Sequence, residues 1–341
     1  MRPDDAVLAP IPAERRDDVR KALADAFGGA PAAGVSQVSG GVSALIYRVE
    51  VRGRDYLVRL ERSRSPLRNP ARGFASMTIA AEAGVAPAVL YANPESAIAI
   101  MDFVPARPLE SFPGGAAALT RELGALVARL QRTTVFPALG DYPAMVERML
   151  ALVAGAGVFA TGLLDPHAER AARIREVYPW NPAALVSSHN DPNPRNILYD
   201  GQRLWLIDWE TAFRNDPLAD IAILTIELAS TPALEATLLE AWLGRAPDPG
   251  VRARLVLMQA LTRLYYACLF FMTAAPAPGA TPETDLTAPT VAEFRDAVAG
   301  GRLAPTSPQT LRILGKMQLA GFLAVACGPR FEDAMATVRL G

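Results

Sequence analysis

Residues 188–210 of the chain read SHNDPNPRNILYDGQRLWLIDWE, and this stretch decides the interpretation of the sequence. It contains the pattern His189-x-Asp191-x4-Asn196, followed by a turn, a short apolar strand and Asp208. Two prolines stiffen its first part, because the proline ring fixes the backbone angle φ. The stretch therefore predicts a rigid loop with a carboxylate and an amide, and then a strand that ends in a second carboxylate.

These residue types at this spacing are what phosphoryl transfer to a hydroxyl requires. A carboxylate at Asp191 can take the proton of the acceptor hydroxyl. Asn196 can turn its amide oxygen to a metal, and Asp208 can supply a carboxylate to the same ion. Such hard oxygen ligands suit Mg²⁺, which bridges the phosphates of a nucleotide. A lone His-x-Asp pair is usually a surface turn, so the second aspartate, in the right order and at the right distance, carries most of the argument.

Over these residues the sequence resembles the choline kinase and aminoglycoside phosphotransferase family, whose members are related to the protein kinases. The resemblance extends over nearly the whole chain in layout and is most specific over residues 188–221. It implies ATP and Mg²⁺ as cofactors. It further implies Asp191 and His189 as the catalytic residues, the first as the base and the second as the support of the loop. Asn196 and Asp208 would then be the metal ligands.

The same resemblance covers the segment that follows the second aspartate. Residues 216–222 read DPLADIA, and Asp220 matches the aspartate that braces the catalytic loop from a helix in this family. Asp216 followed by Pro217 is also a typical helix start, because aspartate caps free N–H groups and proline suits the first helical position. The segment therefore predicts a helix with Asp220 as a structural brace.

The hydrophobic pattern changes character along the chain. Alternation over residues 46–51 and 56–60, with a tight polar turn between them, predicts a β-hairpin, and residues 75–83 are predicted to be helical. Later residues show mostly long helices. With the resemblance, this implies an α+β, bilobal protein-kinase-like fold. Residues 1–104 would form a small β-rich nucleotide-binding lobe, and residues 105–341 a larger, mainly helical catalytic and substrate-binding lobe.

Two features of the first 104 residues suit a nucleotide. The turn SGGVS, with Gly40, Gly41 and Ser43, lies between strands where a loop over the phosphates is expected. Glycine lets a backbone approach phosphates closely. Arg59 occupies the strand position where protein kinases use a lysine, and choline kinase-like members often carry arginine there. Arginine keeps its charge and can hold phosphate oxygens in a fork.

The ion-pair partner of Arg59 is missing from its expected place in the sequence. The family pattern puts a glutamate early in the next helix, where this chain has Gly73 or Ala71. Glu61 and Glu82 are the alternatives, and neither has the expected spacing. An unpaired arginine would lower activity, or the phosphates alone would position it.

The remaining predicted site residues concern adenine and the substrate. Residues 101–104 read MDFV and resemble the hinge of the family, where backbone groups of Asp102 and Val104 would bind adenine. An amino alcohol such as choline or ethanolamine needs one acidic residue and an aromatic face for its ammonium group. The candidates for these contacts are Glu210, Trp209, Tyr265 and Tyr266.

Composition excludes several other classes of protein. The 341 residues include 34 basic and 35 acidic ones, so the net charge of −1 gives no electrostatic reason to expect nucleic acid or an anionic membrane as a partner. Cys268 and Cys327 are too few for a disulfide framework and lie in apolar segments, so both are expected in the core. His167 is expected on a helix surface. Residues 273–289 form a long loop that could serve as a lid. A reducing cytoplasm is the expected location, and the oligomeric state is left open.

Three functions are compatible with these residues. The favoured one is an ATP-dependent kinase that moves the γ-phosphate to a hydroxyl of a small molecule. A choline- or ethanolamine-like substrate is preferred to an aminoglycoside, because a polycation needs concentrated negative charge; another metabolite also stays open. The second is a catalytically weak nucleotide-binding module of the same fold. The third is a metal-dependent phosphoesterase, which predicts neither a hinge nor an N-terminal sheet.

Overall fold

The computed structural model describes residues 6–38, 44–62, 64–274 and 281–340. The strands are β1 (Ala32–Val38), β2 (Ala44–Val51), β3 (Arg54–Glu61), β4 (Val89–Asn93), β5 (Ile98–Asp102), β6 (Val186–Ser188), β7 (Ile197–Tyr199), β8 (Leu204–Leu206) and β9 (Phe213–Asn215). The helices are α1 (Arg16–Phe27), α2 (Pro70–Glu82), α3 (Gly115–Leu130), α4 (Tyr142–Gly155), α5 (Asp165–Val177), α6 (Leu218–Glu227), α7 (Pro232–Leu243), α8 (Pro249–Thr273), α9 (Val291–Ala299), α10 (Pro308–Ala326) and α11 (Pro329–Leu340).

The chain packs as two compact units. Their segments are Met1–Leu139, Leu185–Asp220 and Glu227–Gly244 for the first, and Gly140–Ala184, Ile221–Ile226 and Arg245–Gly341 for the second. The first unit contains the antiparallel sheet and residues 188–210, and the second is mainly helical. The α+β class predicted from the sequence is therefore confirmed. The division expected at residue 104 stays a prediction.

The five-stranded sheet of the first unit is antiparallel, with the strand order β1-β2-β3-β5-β4. One face is apolar: Val58 and Leu60 of β3 and Val49 of β2 are buried in one cluster with Val19 of α1. Because successive residues of a strand point to opposite faces, Arg59 lies on the face away from this cluster. The alternation of the sequence thus assigns one face of the sheet to the core and the other to the charged residue.

The hairpin expected from the sequence is formed by β2 and β3. Its turn residues Arg52 and Gly53 have φ of 52° and 72°, the left-handed conformations that a tight hairpin turn requires. β3 extends one residue beyond its predicted end, so Glu61 pairs with Ala44 in the ladder. This extension fixes the backbone of Glu61 within the sheet.

The second helix begins earlier than the sequence predicts, at Pro70 rather than at residue 75. The Oδ1 atom of Asn69 accepts the N–H of Ala71 at 2.9 Å, and proline at the first helical position has no N–H to satisfy. The predicted start is wrong because Gly73 weakens the helical pattern of the first turn. The asparagine–proline pair was the signal that marked the true start.

The longest helix of the second unit, α8, has 25 residues. It is long and apolar enough to cross a membrane, and α10 with α11 would pass the same test only as a pair bent by 64°. However, 72% of the tested window of α8 is buried inside the protein, as in the core helix of a globular unit. By length and composition alone, these helices are weak evidence for a membrane span.

Two residues of the second unit do not lie where the sequence places them. Cys268 is buried as expected, whereas Cys327, at the end of α10, is exposed. His167 is only 1% exposed, and its ring stacks on that of Phe322 at 5.6 Å. The expectation of a surface histidine is wrong because α5 has few apolar residues, and His167 fills one of its core positions.

The predicted loop over residues 273–289 is only partly covered, because residues 275–280 lie outside the described ranges. Beyond them the chain is fastened by backbone hydrogen bonds. The N–H of Glu283 donates to the oxygen of Val158 at 2.9 Å, and the N–H of Ala160 donates to the oxygen of Glu283 at 2.9 Å. Lys316 forms an ion pair with the carboxylate of Glu283. The role of the loop as a lid stays a prediction.

Burial of His167 makes the stability of the protein depend on pH. Burial lowers the pKa of His167, and the charge of Arg170 lowers it further. The unfolded chain therefore binds the proton more readily, so the free energy of unfolding falls as the pH falls below the ordinary histidine pKa of about 6.5. In His167→Gln this part of the decrease should be absent between about pH 7 and pH 5. Urea unfolding across this range measures it, and equal pH slopes in both proteins would contradict the assignment.

Candidate active site

The loop after β6 holds Asp191 by both of its carboxylate oxygens. The side-chain amide of Asn193 donates to Oδ1 at 2.8 Å, and that of Asn196 donates to Oδ2 at 3.0 Å. Asn196 also donates to the backbone oxygen of Asp191 at 2.9 Å. The carboxylate is half-buried, and its orientation is set by two neutral donors. Asn193 was missed in the sequence, where nothing separates it from an ordinary loop asparagine.

Asn196 and Asp208 are brought together by the hairpin of β7 and β8. Ile197 pairs with Leu206 at the end of this ladder, and the N–H of Ile207 donates to the backbone oxygen of Asn196 at 3.0 Å. Asp208 follows directly, with φ of 66°. Aspartate is one of the few residue types that adopt this left-handed conformation. The ladder therefore places the side-chain amide of Asn196 and the carboxylate of Asp208 at the same end of one hairpin, as the spacing predicts.

The ring of His189 contacts the backbone directly before Asp208. It is fully buried, its Nε2 atom lies 2.8 Å from the backbone oxygen of Ile207, and its ring lies 4.6 Å from that of Trp209. This position is compatible with the expected support of the loop by His189, whose role stays a prediction. Trp209 is only 4% exposed and packs edge-on against Phe136, which does not support its expected role as a substrate contact.

Asp220 lies under the loop, where the sequence expects the brace. Its two carboxylate oxygens accept the backbone N–H groups of His189 at 2.9 Å and of Asn190 at 2.7 Å. Complete burial raises the pKa of Asp220. The carboxylate thus satisfies two N–H groups that would otherwise be buried without a partner.

Asn190, which the sequence interpretation did not single out, is a hub of the loop. Its side-chain amide nitrogen lies 3.1 to 3.2 Å from the backbone oxygens of Ser188, Thr211 and Phe213, which share its two hydrogens. Its Oδ1 atom accepts from the amide of Asn215 at 2.6 Å. Its φ of 63° is again left-handed. These contacts tie the loop before Asp191 to the segment after Asp208.

Arg59 is surrounded by carboxylates. Its Nε atom donates to Oε1 of Glu61 at 2.6 Å, and its Nη2 atom lies 2.9 Å from Oδ1 of Asp208 and 3.2 Å from Oε2 of Glu210. Arg68 also pairs with Glu210, at 3.4 Å. Burial alone would lower the pKa of Arg59, but Asp208, Glu61 and Glu210 outweigh it and raise the pKa. The expectation of an unpaired Arg59 is therefore wrong.

The first turn of α2 shows why no helix glutamate reaches Arg59. A Cβ atom on Gly73 would lie 3.2 Å from the backbone oxygen of Trp209 and 3.5 Å from the Cα of Glu210. Arg72 donates to the backbone oxygen of Glu210 at 3.1 Å. The helix backbone thus lies directly against this segment and leaves little room for a side chain at position 73. Glu82, at the other end of the helix, is exposed.

The charges around Asp208 suit a divalent cation. Glu61, Asp208 and Glu210 carry three negative charges, and Arg59 and Arg68 carry two positive ones. The Oδ1 atom of Asp208 is buried, and its close partner is the guanidinium of Arg59 at 2.9 Å. The described residues hold no cluster of three His, Cys, Asp or Glu side chains that could bind a metal by itself. The donor set therefore fits Mg²⁺ if the nucleotide supplies further oxygens.

The predicted hinge lies at the end of β5. Asp102 and Val104 line a cavity of about 590 Å³ together with Phe103, Arg54 and Trp205, among others. Asp102 pairs with Arg54 at 3.6 Å. The described lining of this cavity does not include the residues of the catalytic loop. Binding of adenine by the backbone of Asp102 and Val104 stays a prediction.

The remaining predicted contacts belong to the phosphate loop and the substrate site. Gly40, Gly41 and Ser43 lie outside the described residues. Tyr265 belongs to the second unit, where it is 3% exposed and its ring lies 5.7 Å from that of Tyr266, so its burial does not support a substrate contact. The substrate roles of Tyr266 and Glu210 stay predictions, and Glu210 already pairs with two arginines.

Comparison with known proteins assigns the chain to a family. The model of the APH family, the phosphotransferase enzyme family, matches residues 34–255. The chain belongs to this family, and the sequence-based prediction of a small-molecule kinase is confirmed at that level. No curated protein matches the chain.

Solved structures share the fold. A choline/ethanolamine kinase family protein from Mesorhizobium loti is 23% identical, with a TM-score of 0.72 over 96% of this chain and 99% of that one. The choline kinase LicA from Streptococcus pneumoniae is 14% identical, with a TM-score of 0.62 over 92% and 99%. The spectinomycin phosphotransferase APH(9)-Ia is 12% identical, with a TM-score of 0.54 over 95% and 98%. These similarities confirm the protein-kinase-like fold.

The hydrogen bonds of Asn190 should be a large contribution to stability. Asn190→Ala removes them, leaves buried polar groups without partners and places alanine at a left-handed φ, so we expect a loss of roughly 3 kcal/mol or more. Asn190→Gly loses the same hydrogen bonds but tolerates the backbone angle, and should be about 1 kcal/mol less damaging. Urea unfolding measures both, with exposed Gln202→Ala as the control. Values for both within about 0.5 kcal/mol of the parent protein would contradict the role of Asn190.

Proposed function

We propose that the protein transfers the γ-phosphate of ATP to a hydroxyl of a small molecule. The observation that carries the proposal is the arrangement at one end of the β7–β8 hairpin. Asn196, which donates a hydrogen bond to Asp191, lies at the same end as Asp208, and Asp208 pairs with Arg59. Solved neighbours support nucleotide use, since APH(9)-Ia was determined with ADP and spectinomycin and LicA with AMP. A cytoplasmic location belongs to the same proposal.

Each residue has a role that follows from its contacts. Asp191 would accept the proton of the acceptor hydroxyl, since the amides of Asn193 and Asn196 orient both of its oxygens. Asn196 donates through its amide nitrogen, so its amide oxygen would bind the metal with Asp208. Bound Mg²⁺ would neutralise charge on the phosphates. Arg59 would hold phosphate oxygens in the same region.

The structure weighs against the two alternatives. A weak nucleotide-binding module was suggested by a missing partner for Arg59, and Arg59 has carboxylate partners in Glu61, Asp208 and Glu210. A metal-dependent phosphoesterase predicts no N-terminal sheet, and β1 to β5 form one. A kinase of a small molecule is therefore the function we test.

For the acceptor we propose an amino alcohol, choline or ethanolamine, ahead of an aminoglycoside. The near-neutral net charge of −1 supports this order, because a polycationic substrate needs concentrated negative charge. The fold similarity to choline and ethanolamine kinases is compatible with it. Steady-state ADP release with choline, ethanolamine and kanamycin in parallel tests the ranking. Preference for kanamycin would reverse it, and silence with all three would leave only the reaction class as a proposal.

The two aspartates should differ in what their loss removes. Asp191→Asn should lower kcat by roughly 10²- to 10⁴-fold with little change in nucleotide affinity, because proton acceptance is lost. Asp208→Asn should weaken Mg-ATP binding as well as turnover, because a charged metal ligand is lost. Both changes preserve the shape of the side chain. Kinetics with a verified acceptor and ADP calorimetry measure the two effects. Retention of most activity by Asp191→Asn would disprove the mechanism.

A further inference from the structure

We propose that Glu61 is a positioning residue for Arg59, in place of the helix glutamate of the kinases. The inference rests on the proposed function, because it concerns how Arg59 meets the phosphates of a nucleotide. The contact between Glu61 Oε1 and Arg59 Nε measures 2.6 Å. The side chains of Glu61 and Arg59 are only 9% and 11% exposed, so solvent screens this ion pair little.

The backbone of Glu61 is fixed on both sides. It pairs with Ala44 of β2, and its N–H donates to the oxygen of Ala97 at 3.0 Å, next to β5. Residues 59 and 61 of one strand point to the same face of the sheet. The carboxylate is thus held beside the guanidinium by the strand itself, without a contribution from α2.

The carboxylates around Arg59 use different nitrogens. Glu61 binds Nε, whereas Asp208 and Glu210 share Nη2. Asp208 is the proposed metal ligand, and Glu210 also pairs with Arg68. Glu61 therefore holds the guanidinium at Nε, away from the nitrogen that faces the proposed metal ligand. A contact at Nε fixes the plane of the guanidinium, and with it the direction in which its other nitrogens point.

One of the expected positions for this acid is crowded. A Cβ atom on Gly73 would lie 3.2 Å from the backbone oxygen of Trp209, so a glutamate there would require this backbone to shift. Glu82, the one acidic residue of that helix, is exposed and provides a matched control. Glu61, which lies on the same strand as Arg59, is the acid that contacts it in place of a residue of α2.

ADP binding by calorimetry, with no acceptor needed, tests the role of Glu61. Glu61→Gln should bind ADP about tenfold more weakly, the effect expected when a charge-assisted hydrogen bond is lost. The ADP affinity of Glu61→Asp should lie between those of the parent protein and Glu61→Gln. Glu82→Gln should bind ADP like the parent protein. With ATP, Glu61→Gln should raise KM more than it lowers kcat, which a merely structural role would not do.

A double-mutant cycle with Arg59→Gln separates positioning from a general effect. In the Arg59→Gln background, Glu61→Gln should cause no further loss of ADP affinity. Parent-like ADP affinity of Glu61→Gln, or an equal loss in both backgrounds, would overturn the inference alone. Absence of ADP binding by the parent protein would overturn the proposed function and the inference with it. If Glu61→Gln does not fold, the cycle is run with Glu61→Asp, and the same criteria decide.

Discussion

A buried guanidinium that cannot lose its charge constrains much of the first unit. Burying the charge of Arg59 without partners would cost several kcal/mol, so carboxylates must lie beside it. One comes from its own strand, at Glu61, and the others come from residues 208–210. These contacts join the five-stranded sheet to the hairpin of β7 and β8. Through Ile207, which also contacts His189, the same constraint reaches the catalytic loop.

The loop itself depends on satisfied polar groups rather than on regular structure. It has few backbone ladder bonds, so side chains must take their place. Asp220 accepts two of its N–H groups, and Asn190 donates to three backbone oxygens around it. Left-handed backbone conformations occur at Asn190, which directly precedes Asp191, and at Asp208 itself. Strain of this kind persists where surrounding contacts determine the conformation, and it is frequent at functional sites.

The sequence predicts what depends on spacing and alternation. The hairpin of β2 and β3, and the meeting of Asn196 with Asp208, both follow from distances along the chain. It does not predict what depends on neighbours from distant segments. Trp209 and Tyr265 are aromatic residues of the kind that line binding pockets, but such residues also pack in cores. In the structure both side chains are buried. The sequence offers both Glu61 and Glu82 as partners of Arg59 but does not decide between them, because the close approach of α2 to residues 209–210 has no signature in one sequence.

That close approach has a consequence for control of the enzyme. In protein kinases, the position of the helix that carries the ion-pair glutamate switches the catalytic machinery on and off. Here the contact at Gly73 and the hydrogen bond from Arg72 bind α2 to the segment after Asp208, and a sheet strand supplies the acid instead. A strand paired on both sides does not swing. With the acid on its own strand, the distance between Arg59 and this carboxylate is set by the sheet and does not depend on where α2 lies.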